Sequence, residues 1–128
     1  MATRMTVKAK QRDLNRDRRP KAIAKYIRIS PSKVQIVLDL IRGRDYKDAV
    51  AILKTTAKAA AEPILKCMNS AAANAEVNLG MNKDTLYVAE CYADQGPTLK
   101  RMQPVSRGRG YRILKRTSHI TVILDERA

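Results

Sequence analysis

The sequence predicts an α+β fold that carries a long basic arm. Three stretches space their apolar residues at the helical period, and three others alternate apolar with polar residues. Residues 96–124 contain no carboxylate, yet hold Lys100, Arg101, Arg107, Arg109, Arg112, Lys115 and Arg116. At 128 residues the chain is long enough for one domain with a modest core.

Residues 1–21 show no apolar periodicity, and Pro20 closes them. They read as a basic arm, flexible in isolation. "AKYIRIS" alternates, with Ile27 and Ile29 on one face and Tyr26 and Arg28 on the other, and predicts a short strand. Ser30 and Pro31 are an N-cap and a first helical residue. Val34, Val37, Leu38 and Ile41 form the core face of that helix, and Gly43 ends it. Lys33 falls in its first turn, where the helix dipole disfavours a cation unless a phosphate partner sits there. Asp45 can cap a second helix, with Tyr46, Ala49, Val50 and Leu53 on one face and an end near Thr55.

A third helix is predicted over about Lys58 to Asn78, with an apolar stripe of Ile64, Leu65, Met68, Ala71, Ala72, Ala75 and Leu79. Pro63 makes that helix either begin close by or bend there. The thin alanines predict tight packing on a sheet, and Gly80 stops the helix. "DTLYVAECYAD" and "RTSHITVIL" read as strands. In the second, Ile120, Val122 and Leu124 share one face while His119 and Thr121 share the other. The first leaves its core face open: Tyr87, Ala89, Cys91 and Ala93 lie on one side, Leu86, Val88 and Tyr92 on the other.

The basic segment joins these two strands. Proline donates nothing to a central ladder, so Pro97 and Pro104 exclude a buried strand, and Gly108 and Gly110 suit a tip. The simplest geometry is a two-stranded hairpin turning within residues 102–110. Its far half, about ten residues a side, reaches roughly 30 Å at about 3.3 Å per residue. The body's radius of gyration is only about 13 Å. Such a hairpin is marginal in water, and its like charges repel. A solvated loop would have no need to exclude acids throughout residues 95–124. If all seven cations met phosphates, log K would fall against log salt with a slope of about −5 to −6.

Charge distribution points the same way. The chain carries 26 Lys and Arg against 12 Asp and Glu, net +14. Residues 1–21 hold eight basic and two acidic side chains, residues 22–94 ten and eight, and residues 95–128 eight and two. A near-neutral body thus bears two basic appendages, which implies a polyanionic partner. Phe and Trp are absent, so phosphate and shape recognition is favoured over base stacking. Cys67, Cys91 and His119 are too few for structural zinc, and the two cysteines read as reduced, partly buried apolar residues. No apolar run nears membrane-spanning length and no secretory segment follows the start, so a cytoplasmic location is expected.

"GPTLKR", "RGR" and "RILKRTSHITV" closely resemble the C-terminal segment of the large-subunit ribosomal protein L-twenty-two family, bacterial type. "SPSKVQIVLDLIRG" and "SAAANAEVN" resemble that family's first and third helices, and the resemblance spans about residues 22–127. It implies a single α+β domain over residues 22–128, with three helices packed on a small three-stranded antiparallel sheet. A long protruding β-hairpin is implied at about residues 92–116. It also implies a structural constituent of the large ribosomal subunit that binds 23S rRNA and supports assembly, with the hairpin tip lining the nascent-peptide exit tunnel near the macrolide site. The implied partners are 23S rRNA, neighbouring large-subunit proteins and the nascent polypeptide.

On this sequence the resemblance gives Lys100, Arg101, Arg107, Arg109, Arg112, Lys115, Arg116, Thr117, Ser118 and His119 as the RNA-contacting hairpin; Arg28 and Lys33 are further expected rRNA-binding residues. Met102, Gln103, Pro104, Val105, Ser106, Arg107, Gly108, Arg109 and Gly110 correspond to the tunnel-lining tip.

Other classes fit less well. One histidine, no nucleophile beside a base and no phosphate-loop glycine pattern leave no catalytic constellation, and no cofactor or metal is expected. A DNA-architectural protein also uses basic β-arms, but it usually works from a dimer. The body here shows no self-complementary apolar surface, and a homo-oligomer is not expected. Cations on an arm interrupted by Pro and Gly do not make a membrane-binding amphipathic helix.

Overall fold

The last alternating stretch becomes the centre of the sheet in the computed structural model, which describes residues 3–128. β5 (Ser118–Glu126) pairs antiparallel with β1 (Lys21–Ile27) on one side and β2 (Leu86–Gln95) on the other. Three helices lie between β1 and β2 in the chain: α2 (Pro31–Ile41), α3 (Tyr46–Thr55) and α4 (Ala61–Leu79). α4 packs on β1 and β5, α2 packs on β2, and α3 bridges α2 and α4. The projecting ribbon, β3 (Leu99–Pro104) with β4 (Gly110–Lys115), forms a separate two-stranded antiparallel sheet.

The expected α+β class therefore holds, but the expected count of helices and strands changes. A fourth helix, α1 (Arg4–Leu14), occupies the N-terminal basic segment, and none of its residues is buried. Without an apolar stripe it gave no periodic signal. The first two positions of the expected arm over residues 1–21 lie outside the described residues.

The core is aliphatic. Val34, Val37, Leu38 and Ile41 of α2 are buried, as are Tyr46, Ala49 and Leu53 of α3. Ser30 and Asp45 hold the N-cap positions, but neither side chain caps a backbone N–H of its helix. The Ser30 hydroxyl meets Ser32 Oγ at 3.3 Å, and Asp45 forms an ion pair with Arg127, Oδ1 to Nε 3.3 Å. Pro63 is the third residue of α4, inside the first turn, where its missing N–H has no helical partner to lose. The helix therefore starts at Ala61, not near Lys58. Gly80 closes it at φ 63°, in the left-handed region.

Along α4, Ile64, Met68, Ala71, Ala72 and Ala75 are fully buried. Leu79, expected on that stripe, is exposed in the last turn. The alanines let the helix lie so close to the sheet that Cys67 donates its thiol proton to Ala22 O at 3.4 Å. Burial raises the pKa of Cys67 and Cys91, and both are free thiols.

Two irregularities explain where simple alternation misleads. In β2, Val88 faces Leu124 but Glu90 faces Ile123, so Ala89 is an extra residue. This bulge switches the phase: Leu86 and Val88 point to the core before it, and Cys91 after it. In β1, Ala24 faces Ile120 and Ile27 faces Ser118, which leaves one extra residue at Lys25–Tyr26. β1 thus covers Lys21–Ile27, earlier than the expected strand, and Arg28 and Ile29 lie beyond it.

Ala71 tests the packing directly. Ala71→Leu should lower unfolding free energy by about 1–3 kcal/mol in urea titration, because the extra carbons must displace the sheet. Ala73→Leu, on the exposed side of the same helix, should stay within about 0.5 kcal/mol of the parent.

Candidate nucleic-acid interface

The register of the ribbon sorts its cations. Directly opposed residues share a face of a β-ribbon. Arg101 opposite Ile113 and Lys115 opposite Leu99 stand on one face; Lys100 opposite Leu114 and Arg112 opposite Met102 stand on the other. Every ladder cation opposes an apolar residue, which avoids like charges in direct opposition. All seven hairpin cations are exposed. Among the described residues none of the seven forms an ion pair.

At the tip, Val105 N–H donates to Arg109 O at 2.9 Å. The chain reverses through Arg107 and Gly108, at φ 61° and 65°. Arg107 adopts a left-handed conformation that costs a non-glycine residue about 1–2 kcal/mol. Gly110 lies beneath Met102, whose Sδ would sit 2.8 Å from a Cβ placed there. Gln103, Pro104, Ser106 and Arg109 are exposed, and Val105 is half-buried.

The root is tighter than the tip. Gln95 faces Ser118 and Leu99 faces Lys115, so the first strand again carries one extra residue. Gly96 N–H donates to Thr117 O at 2.9 Å, and Thr117 Oγ1 donates to Pro97 O at 2.6 Å. A Cβ at Gly96 would fall 2.5 Å from Thr117 Oγ1, so the approach requires glycine. Tyr26, at φ 58° in the β1 bulge, donates its backbone N–H to His119 Nδ1 at 3.0 Å. The two rings meet edge to face with centroids 5.0 Å apart. With Nδ1 accepting, the neutral imidazole carries its proton on Nε2.

This geometry divides the residues read from sequence. Thr117 and Ser118 are buried in the hairpin root. The Ser118 hydroxyl has no hydrogen-bond partner among the described residues. His119 is half-buried and joins the hairpin root to β1. Arg28, Lys33, Lys115 and Arg116, distant in sequence, line one cleft with Ser30 and Leu114. Lys33 stands in the first turn of α2, whose dipole also favours an anion there. Four cations and a helix N-terminus around one cleft suit a phosphate group.

Tyr26 and Gly96 escaped the sequence reading as root residues. Nothing in an alternating pattern marks a left-handed tyrosine. Gly96-Pro97 reads as a turn, although Gly96 still bonds across to Thr117 and the chain continues into the ribbon at Leu99.

A second basic feature attaches at the other end of the sheet. Arg19 Nε and Nη2 hold Asp17, and Nη2 also reaches Glu90 Oε1 at 2.7 Å. Pro20 O accepts Leu124 N–H at 2.9 Å. The hydrogen bonds from Arg19 lower the Asp17 carboxyl pKa to about 2. The pair is therefore intact above the ordinary carboxylate range and weakens as pH falls through about 2.

The sequence profile of the family "Ribosomal protein L22p/L17e" matches residues 22–125. The "Large ribosomal subunit protein uL22" of Clostridium novyi is 56% identical over 108 residues, which cover 84% of this chain and 97% of that protein. The protein of the same name from Acetivibrio thermocellus is 60% identical over 108 residues, covering 84% and 86%. That of Clostridium acetobutylicum is 60% identical over 107 residues, covering 84% and 96%. A match across nearly the whole body and both hairpin strands places this chain in the ribosomal protein L22p/L17e family.

Proposed function

We propose that this protein is a structural constituent of the large ribosomal subunit whose hairpin is embedded in 23S rRNA. The observation that carries the reading is the presence of unpaired cations on both faces of the ribbon. An arm lying along a surface needs charge on one face. Charge on both suits an arm enclosed by its partner, and a polyanion that folds into a compact wall is RNA. The cleft of Arg28, Lys33, Lys115 and Arg116 takes a phosphate where the ribbon leaves the body.

In this reading the body docks at the subunit surface and the ribbon threads inward, supporting assembly by crossing RNA segments. Residues 102–110 line the nascent-peptide exit tunnel near the macrolide site. Neighbouring large-subunit proteins and the nascent polypeptide are the remaining partners. The role is one of position and charge, without catalysis, in the cytoplasm.

Binding to a 23S rRNA transcript across a salt series tests the reading. Arg101→Gln/Lys115→Gln and Lys100→Gln/Arg112→Gln should each flatten the slope of log K against log salt by about 1.5, at about 0.7–0.9 per phosphate contact. A loss confined to one pair would contradict an enclosed ribbon, and tighter binding to duplex DNA of equal length would contradict RNA. Gly96→Ala removes no charge, yet should weaken binding several-fold and lower stability by about 1–3 kcal/mol. The added carbon must displace Thr117 and its bond to Pro97.

A further inference from the structure

We propose that α1 is a second RNA-binding element, folding onto the phosphate backbone of an RNA helix separate from the RNA held by the hairpin. The inference rests on the RNA reading of the hairpin and extends it to a segment outside the family match, which begins at residue 22. The 108 residues matched to the Clostridium novyi relative cover 97% of that protein and 84% of this chain.

The helix lacks internal reasons to be stable. It has 11 residues, none buried, no side-chain cap and no acid in its first turn. The Thr3 hydroxyl meets Thr6 Oγ1 at 2.6 Å and caps nothing. An isolated helix of this length is marginal in water, and this one leaves Met5, Val7 and Leu14 exposed with nothing of the body packed on them. Its chemistry names that partner. Arg4, Lys8 and Arg12 follow at four-residue intervals, within an arc of about 80° and with a rise of about 6 Å per step. Gln11 and Asn15 line a shallow groove with Lys8 and Arg12, adding neutral groups that bond phosphate or ribose. Asp13 lies on the opposite side. This is a cationic ridge with Gln11 and Asn15 beside it, which suits a nucleic-acid backbone and would repel a basic ribosomal protein.

Position makes the contact separate from that of the hairpin. The hairpin leaves β5 at Ser118, whereas the N-terminal segment joins the sheet where Lys21, Ile123 and Glu90 lie in register. Five residues of β5 separate the two points, about 16 Å. Residues 13–21 then run beside Leu79, at the C-terminal end of α4. Arg19 on Glu90, with Pro20 O accepting Leu124 N–H, attaches the segment at this end of the sheet. The body is thus a spacer between two RNA grips.

The test compares the full chain with Arg4→Gln/Lys8→Gln/Arg12→Gln and with the hairpin pair Lys100→Gln/Arg112→Gln on the same 23S rRNA transcript. None of the three α1 side chains is buried, so the melting temperature should not move. The α1 variant should flatten the salt slope by about 2–3, and RNA should slow tryptic cleavage after Lys8 and Arg12 in the parent chain. An unchanged slope in the α1 variant, with a flattened one in the hairpin variant, overturns this inference and leaves the hairpin reading standing. Unchanged slopes in both overturn both. Protection of Lys8 and Arg12 in the assembled subunit but not on the naked transcript also overturns RNA as the partner of α1.

Discussion

A ribbon charged on both faces has no side on which to build a core, and the rest of the structure follows from that constraint. Ser118–Glu126 answers it by being at once the central strand of the sheet and the base of the arm. Ile120, Val122 and Leu124 are buried under the helices, which secures one strand of the hairpin inside the body. The other strand is held through β2. Where core gives way to arm, Gly96 presses on Thr117 and His119 takes the stray N–H of Tyr26. The hydrogen bonds that tie the arm to the body gather at this root.

The charges obey the same logic. Ladder cations alternate with Leu99, Ile113, Leu114 and Met102, so their mutual repulsion is spread over two faces. The ribbon has no acid of its own to offset its cations. Its partner must supply both the counter-charge and the walls. At the opposite end of the sheet α1 repeats the pattern with helical geometry, and the near-neutral body lies between two cationic elements.

Much of this was legible in the sequence because burial follows period. The core face of α2 and the stop at Gly80 could be read residue by residue. The hairpin was legible through what it lacks, a carboxylate anywhere between Gln95 and Leu124. Bulges were not legible. Ala89 switches the phase of β2, and Tyr26 turns left-handed to reach His119; both depend on a partner strand far along the chain. The buried state of Thr117 and Ser118 was hidden for the same reason, since a Thr-Ser pair among arginines reads as surface. α1 stayed invisible because its signal is a charge ridge and not an apolar stripe.

Amide hydrogen exchange on the protein, free and bound to 23S rRNA, tests the central claim most directly. The account predicts rapid exchange over residues 99–115 in the free protein, while the amides of α2 and α4 stay protected. It also predicts protection of the ribbon once RNA is bound. Ribbon amides as well protected in the free protein as those of α4 would contradict it, because the arm would then hold its own fold without RNA.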